Sequence, residues 1–232
     1  MRRSRPPAPA PVPFSPQAAR AHRTGLGLTP EQVAAAMAAH GVRLLPGHVL
    51  GWESGEIIPG EEEFIALARA LWCPPVQLMG TRPATLRDFR LARELSQQHA
   101  ATRIGMGLRS YAAAELTGRW TGDPEQAAAL VALLGMTLRE FVRVTGGEGE
   151  LADLLRRCVA GRWQAHLPAV ARLVPVPPAR LTGALTALQA EHQVPSHWGS
   201  TTQRTAPPPP SEPHPERFWA LLAEQGTGGL AV

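Results

Sequence analysis

Two residue types are missing altogether: the 232-residue chain contains no Lys and no Asn. All 23 of its cations are therefore Arg, set among abundant Ala, Pro and Gly, the pattern of a GC-rich coding sequence. Arginine alone is thus poor evidence here for guanidinium-specific chemistry. Cysteine is scarce. Cys73 and Cys158 have no Cys or His neighbour at metal-ligand spacing and cannot make a disulfide framework. Both read as small buried apolar side chains. Aromatics make up only 5%, so a core must rest on Leu, Ala and Val. No apolar run approaches the roughly 20 residues of a membrane span. The basic start Met1-Arg2-Arg3-Ser4-Arg5 leads into prolines instead of an apolar signal core. There is no P-loop, no HExxH, no carboxylate pair in an apolar setting and no nucleophile–base pair. His166, His192, His197 and His214 are scattered, and Trp163, Trp198 and Trp219 read as core anchors or surface aromatics. Neither an enzyme nor a bound cofactor or metal is expected.

What is present is unevenly charged. The net charge is +4, and the isoelectric point is about 10.3. Residues 1–13 carry +3, residues 14–80 carry −2, residues 81–146 carry +3, and the remainder is neutral. Basic character therefore lies in the tail and in the second of two helical regions, which suits a nucleic-acid partner.

Helix starts are marked by side chains that can cap a backbone N–H. They are Ser15 before Pro16, Thr29 before Pro30 with Gln32 at capping-box spacing, Thr85, Ser96, and Asp123 before Pro124. Leu151, Leu154, Leu155, Cys158 and Val159, then Leu181, Ala184, Leu185 and Leu188, recur at helical spacing. No alternating stretch demands a sheet. The reading is all-α with five parts: a disordered basic Pro-rich arm at 1–14, helical domains at 15–82 and 83–146, a helical region at 150–198, and a Pro-rich tail at 199–232. Gly146-Gly147-Glu148-Gly149 is the expected linker, Pro207–Pro210 mark the tail as disordered, and Arg217 to Gln225 are its one candidate helix.

The two domains carry one pattern twice. Arg23, Leu28-Thr29 and Trp52-Glu53-Ser54-Gly55 stand in the first copy; Arg90, Leu95-Ser96 and Glu115-Leu116-Thr117-Gly118 stand in the second. Over about residues 15–146 the chain resembles the phage-repressor-like (XRE) helix-turn-helix family. The first copy is the closer match, because Trp52-Glu53-Ser54-Gly55 follows that family's Trp-Glu-Asn-Gly signature. The resemblance implies two tandem lambda-repressor-like bundles of about five short helices, the second and third of each forming the helix-turn-helix. It also implies structural ion pairs, Arg23 with Glu53 and Arg90 with Glu115. A Glu at a helix C-terminus opposes the macrodipole and needs a compensating cation.

The copies differ. Leu28 to Glu53 is five residues longer than Leu95 to Glu115, and the excess falls in Ala38 to Leu45. Helix two should run to His40, stop at Gly41, and leave Val42 to Leu45 as a long turn before Pro46. Leu44 and Leu45 read as core. Candidate base-reading positions in the first copy are Arg43, Gly47, His48 and Gly51; Arg43 is the best of them, since Arg bonds guanine bidentately. Glu56 and Glu61 to Glu63 weaken that domain as a phosphate binder. The second copy is better equipped. Gly107, Arg109 and Ser110 open its recognition segment, Arg103 precedes it, Arg119 follows, and Tyr111 takes the inward place. Arg2, Arg3 and Arg5 read equally well as a minor-groove arm or as a solubilising tail.

The function these features imply is a cytoplasmic, nucleoid-associated transcriptional regulator that binds double-stranded DNA with sequence preference through its helix-turn-helix domains. The alternative is an interaction scaffold, partner to a sigma factor or another regulator, whose helix-turn-helix no longer reads DNA. The implied partners are duplex DNA and either a second copy or a regulatory protein, with no membrane.

Overall fold

Ser15, Thr29, Thr85, Ser96 and Asp123 each accept a hydrogen bond from the backbone N–H three residues on, and each starts a helix. The structure, a computed structural model, describes residues 11–192 and 214–227. Expectations for residues 1–10, 193–213 and 228–232, among them Arg2, Arg3, Arg5, His197, Trp198 and the four prolines at 207–210, lie outside the described residues.

Every regular element among the described residues is helical. In order they are α1 (Pro16–Gly25), α2 (Pro30–Ala39), α3 (Pro46–Ser54), α4 (Glu61–Ala70), α5 (Pro75–Leu78), α6 (Leu86–Ala92), α7 (Gln97–Arg103) and α8 (Leu108–Thr117). Then come α9 (Pro124–Leu134), α10 (Leu138–Val144), α11 (Glu148–Ala160), a 3-10 turn (Trp163–Ala165), α12 (Leu167–Leu173), α13 (Pro178–His192) and α14 (His214–Thr227). Among the described residues no helix is long and apolar enough to cross a membrane.

The chain divides into two compact units, one ending at Gly118 and the other beginning at Arg119. The boundary expected near Pro83 is not where it divides. One hydrophobic cluster runs through the first unit, built on Met37, Trp52, Phe64, Leu67 and Leu78, and Leu91 of α6 belongs to it. Charge ties the same stretch together. Glu61, the first residue of α4, accepts from Arg87 at 2.6 Å and pairs with Arg90 at 2.8 Å, and Arg69 of α4 reaches Glu94 at 2.6 Å. Burial and ion pairing thus carry α6 into the first unit.

The arm expected over 1–14 does not extend that far. Val12 is buried in the same cluster, the Phe14 ring meets Phe64 edge-on at 6.4 Å, and Ser15 N–H donates to Leu78 O at 2.8 Å. Apolar contact outweighs the local Pro-rich composition there. The turn before α3 also differs from expectation: Leu44 packs against the core, whereas Leu45 is 71% exposed.

The second unit holds α9 to α14. Gly146 to Gly149 do not form a linker. Gly146 adopts φ +69° and Gly147 N–H donates to Val142 O at 2.9 Å, a tight helix C-cap, and Gly147 O accepts the first bond of α11. A Cβ on Gly147 would lie 3.3 Å from the Leu173 and Val142 side chains, a tight fit that asks those neighbours to give. Glu148 and Gly149 are already helical. The tail helix is longer than the expected Arg217 to Gln225 and is docked: Phe218, Leu221 and Leu222 of α14 are buried, and α14 packs on α13 and α11.

Candidate nucleic-acid interface

Arg23 and Arg90 build the same joint. Arg23 donates from Nε and NH2 to the two Glu53 oxygens at 2.6 and 2.8 Å, and from NH1 to Leu28 O at 2.8 Å. Arg90 donates to the two Glu115 oxygens at 2.6 and 3.1 Å, and from NH1 to Leu95 O at 2.8 Å. Each guanidinium thus ties the start of one helix to the end of another through a two-pronged pair. The copies differ in depth. The Arg23 and Glu53 side chains keep 13% and 6% of their surface, while Arg90 keeps none and Glu115 3%. Arg90 also meets Glu61, and Glu115 takes a further bond from Gln97 Nε2 at 2.8 Å. Burial opposes charge on Arg90, but Glu115 and Glu61 outweigh it and hold the guanidinium protonated.

Glu61 was not legible as part of this joint. It reads as one of three acids favoured in the first turn of a helix. The signal that marks it is on the partner helix: Arg87 and Arg90 lie three apart, on one face of α6, and two guanidinium groups there call for a shared anion. Burial pushes the Glu61 carboxyl up, yet Arg90 and Arg87 prevail and hold it below the usual carboxylate range.

Fixed by this joint, α8 has an inner and an outer face. Tyr111 and Ala114 are buried. The Tyr111 ring is wholly enclosed, and burial together with Glu115 pushes the phenol up. The opposite face presents Gly107, Arg109, Ser110 and Ala113 to solvent, with Leu116 66% exposed further along. Arg103, in the last turn of α7, is exposed as well. The turn between α7 and α8 is short, residues 104–107, and Gly105 takes φ +68° within it. Arg119 is exposed but begins the second unit.

The first copy presents a different surface. Arg43, Gly47 and His48 are exposed, with His48 Nδ1 3.2 Å from Leu45 O. Gly51 is not at the surface. It is buried, and a Cβ there would stand 3.0 Å from the Ile57 side chain, so this glycine admits Ile57 and is closed to a base. What α3 and its flanking turns offer instead is apolar: Leu45, Leu50, Ile57 and Ile58 are exposed, beside Glu56. Sequence reasoning missed these exposed side chains, because single apolar residues look like core.

Cys73 and Cys158 are free and buried, and burial raises both thiols. Among the described residues no three His, Cys, Asp or Glu side chains gather as a metal site. His192 and His214, far apart in sequence, bring their rings to 4.5 Å. Compared with protein-family models, curated proteins and solved structures, the chain has no significant match.

Proposed function

We propose that the chain is a DNA-binding regulator of the phage-repressor-like helix-turn-helix type, with α8 as its reading helix. One observation carries this. Arg109 and Ser110 stand exposed on the first turn of a helix whose other face is locked by Tyr111, Ala114 and the buried Arg90–Glu115 pair. A guanidinium on a rigid, outward helix start is the group that bonds guanine in the major groove. Arg103, in the last turn of α7, serves as a phosphate contact in this reading. The tandem character rests on the repeated joint: Arg23, Glu53 and Leu28 O in one copy, Arg90, Glu115 and Leu95 O in the other.

The first copy supports the second reading, a protein-docking surface. The exposed apolar side chains of α3 and its flanking turns, Leu45, Leu50, Ile57 and Ile58, suit a regulatory protein better than a phosphate backbone. In this scheme the second copy holds DNA and the first holds the partner.

Fluorescence anisotropy with a generic labelled duplex tests the proposal. Binding at low salt that falls steeply as salt rises is the expected result. A folded chain that leaves the duplex free at low salt overturns the DNA reading and leaves the docking one.

A further inference from the structure

Arg109, Ala113 and Leu116 form one stripe along α8. At the α-helical repeat they fall within about 60° of one another, and Tyr111 and Ala114 centre the opposite side. Burial agrees. Tyr111 and Ala114 are enclosed, whereas Arg109, Ala113 and Leu116 are exposed, Leu116 to 66%. Over residues 97–118 the sole carboxylate is Glu115, whose side chain is 3% exposed and turned onto Arg90. Arg103 adds a second exposed guanidinium from α7. The outer side of α7 and α8 therefore offers positive charge and apolar surface, with no acid of its own.

Single exposed leucines are ordinary at a protein surface. Leu116 is set apart by its alignment with Arg109. In the major groove a guanidinium suits O6 and N7 of guanine, and an apolar side chain suits the C5-methyl group of thymine. At a rise of about 1.5 Å per residue, Ala113 and Leu116 stand about 6 and 10 Å along the axis from Arg109. Base pairs are about 3.4 Å apart, so a helix lying along the groove brings both side chains within about three base pairs of that guanine. An exposed acid on this face would repel the phosphates that flank the groove, and α7 and α8 present none.

We infer that Ala113 and Leu116 are specificity-determining residues, which read thymine methyl groups beside the guanine held by Arg109. The inference rests on the DNA reading of α8 and deepens it by naming the bases. To test it, the full chain first selects its sites from a random duplex pool. Each thymine of the selected site is then replaced by deoxyuridine, which removes the methyl group and keeps every hydrogen-bonding group. Anisotropy at fixed salt compares the duplexes. The expected site has a guanine with thymine, on either strand, within about three base pairs. Uracil at one of those thymines weakens binding about fourfold, the effect of one buried methyl-sized group. Uracil outside the site changes nothing. Leu116→Ser or Ala113→Ser brings one of the weakened uracil duplexes level with its thymine parent. Both side chains are exposed, so these variants fold, as unchanged circular dichroism will show. Parity of uracil and thymine throughout the parent chain's site overturns the inference. So does a uracil penalty that survives in both variants, which would leave Leu116 to a protein partner. Binding at low salt with no selected sequence also overturns it, yet leaves a non-specific DNA binder. No binding at low salt removes the DNA reading along with it.

Discussion

Arg90 donates to both oxygens of Glu115 from a position with no solvent exposure, and it shares Glu61 with Arg87. This fully buried guanidinium is held by the two carboxylates and by the Leu95 carbonyl. Its counterpart, Arg23 with Glu53, has the same geometry but stands nearer to water.

This difference in depth predicts unequal costs. Glu115→Gln removes the two-pronged partner of a buried cation, leaving it Glu61 and Leu95 O, and should destabilise the chain by about 3–5 kcal/mol. Glu53→Gln leaves Arg23 within reach of solvent and should cost about 1.5–3 kcal/mol. Urea unfolding of the two variants checks the order. A Glu53 variant that loses as much as the Glu115 variant contradicts it.

The reading role proposed for α8 predicts a split between two arginines. Arg109→Ala should lose about 1–3 kcal/mol of discrimination between a selected site and generic duplex. Arg103→Ala should weaken all sequences alike and lower the salt slope by about one. Anisotropy titrations over a salt series measure both. An Arg109 variant with unaltered discrimination removes that residue from the site.

Glu61 gives a pH dependence with a definite sign. Its folded-state pKa lies below the unfolded value of about 4.3. The unfolded chain therefore takes up the proton first. The stabilisation is fully present above that value and is lost as pH falls through the folded pKa. Glu61→Gln should flatten this part of the acid limb. Equal acid slopes for parent and variant would count against the shared carboxylate.

Acid should also loosen α14. His214 opens that helix; burial comes first among the causes that hold its imidazole below the ordinary value, followed by His192 and Arg156. A cation at a helix N-terminus is unfavourable as well. Glu216, paired with Arg139, and the Arg217–Glu191 pair are the other charges there. Docking is complete above about pH 6.5, the unfolded value, and fades as pH falls below it. Hydrogen exchange over 214–225, corrected for intrinsic rates, should rise between about pH 7.5 and 5.5. His192→Gln should reduce the rise. Exchange indifferent to pH sinks the idea.

Helix starts were legible because a cap is a local device: Ser15, Thr29, Thr85, Ser96 and Asp123 act within three residues. The inner faces of α11 and α13 were legible for the same reason, as periodicity places Leu151, Leu155, Leu181 and Leu188 inside. Non-local relations were not. Nothing near Leu91 says that it joins the core of Trp52 and Phe64. Gly147 looks like spacer until Leu173 packs on it. Of the candidate site, the outward position of Arg109 and Ser110 followed from the inward Tyr111, but the burial of Gly51 depended on Ile57, a residue beyond its own helix.

The carboxylate of Glu61 has a last consequence, for anyone who would treat the chain as interchangeable modules. A cut at Pro83 separates that carboxylate from Arg87 and Arg90, and parts Leu91 from its apolar neighbours. Each fragment would keep a stranded charge and an open greasy face. The smallest transplantable piece is therefore the whole stretch through Gly118, and chimaeras spliced at the proline should aggregate where those spliced after α8 survive.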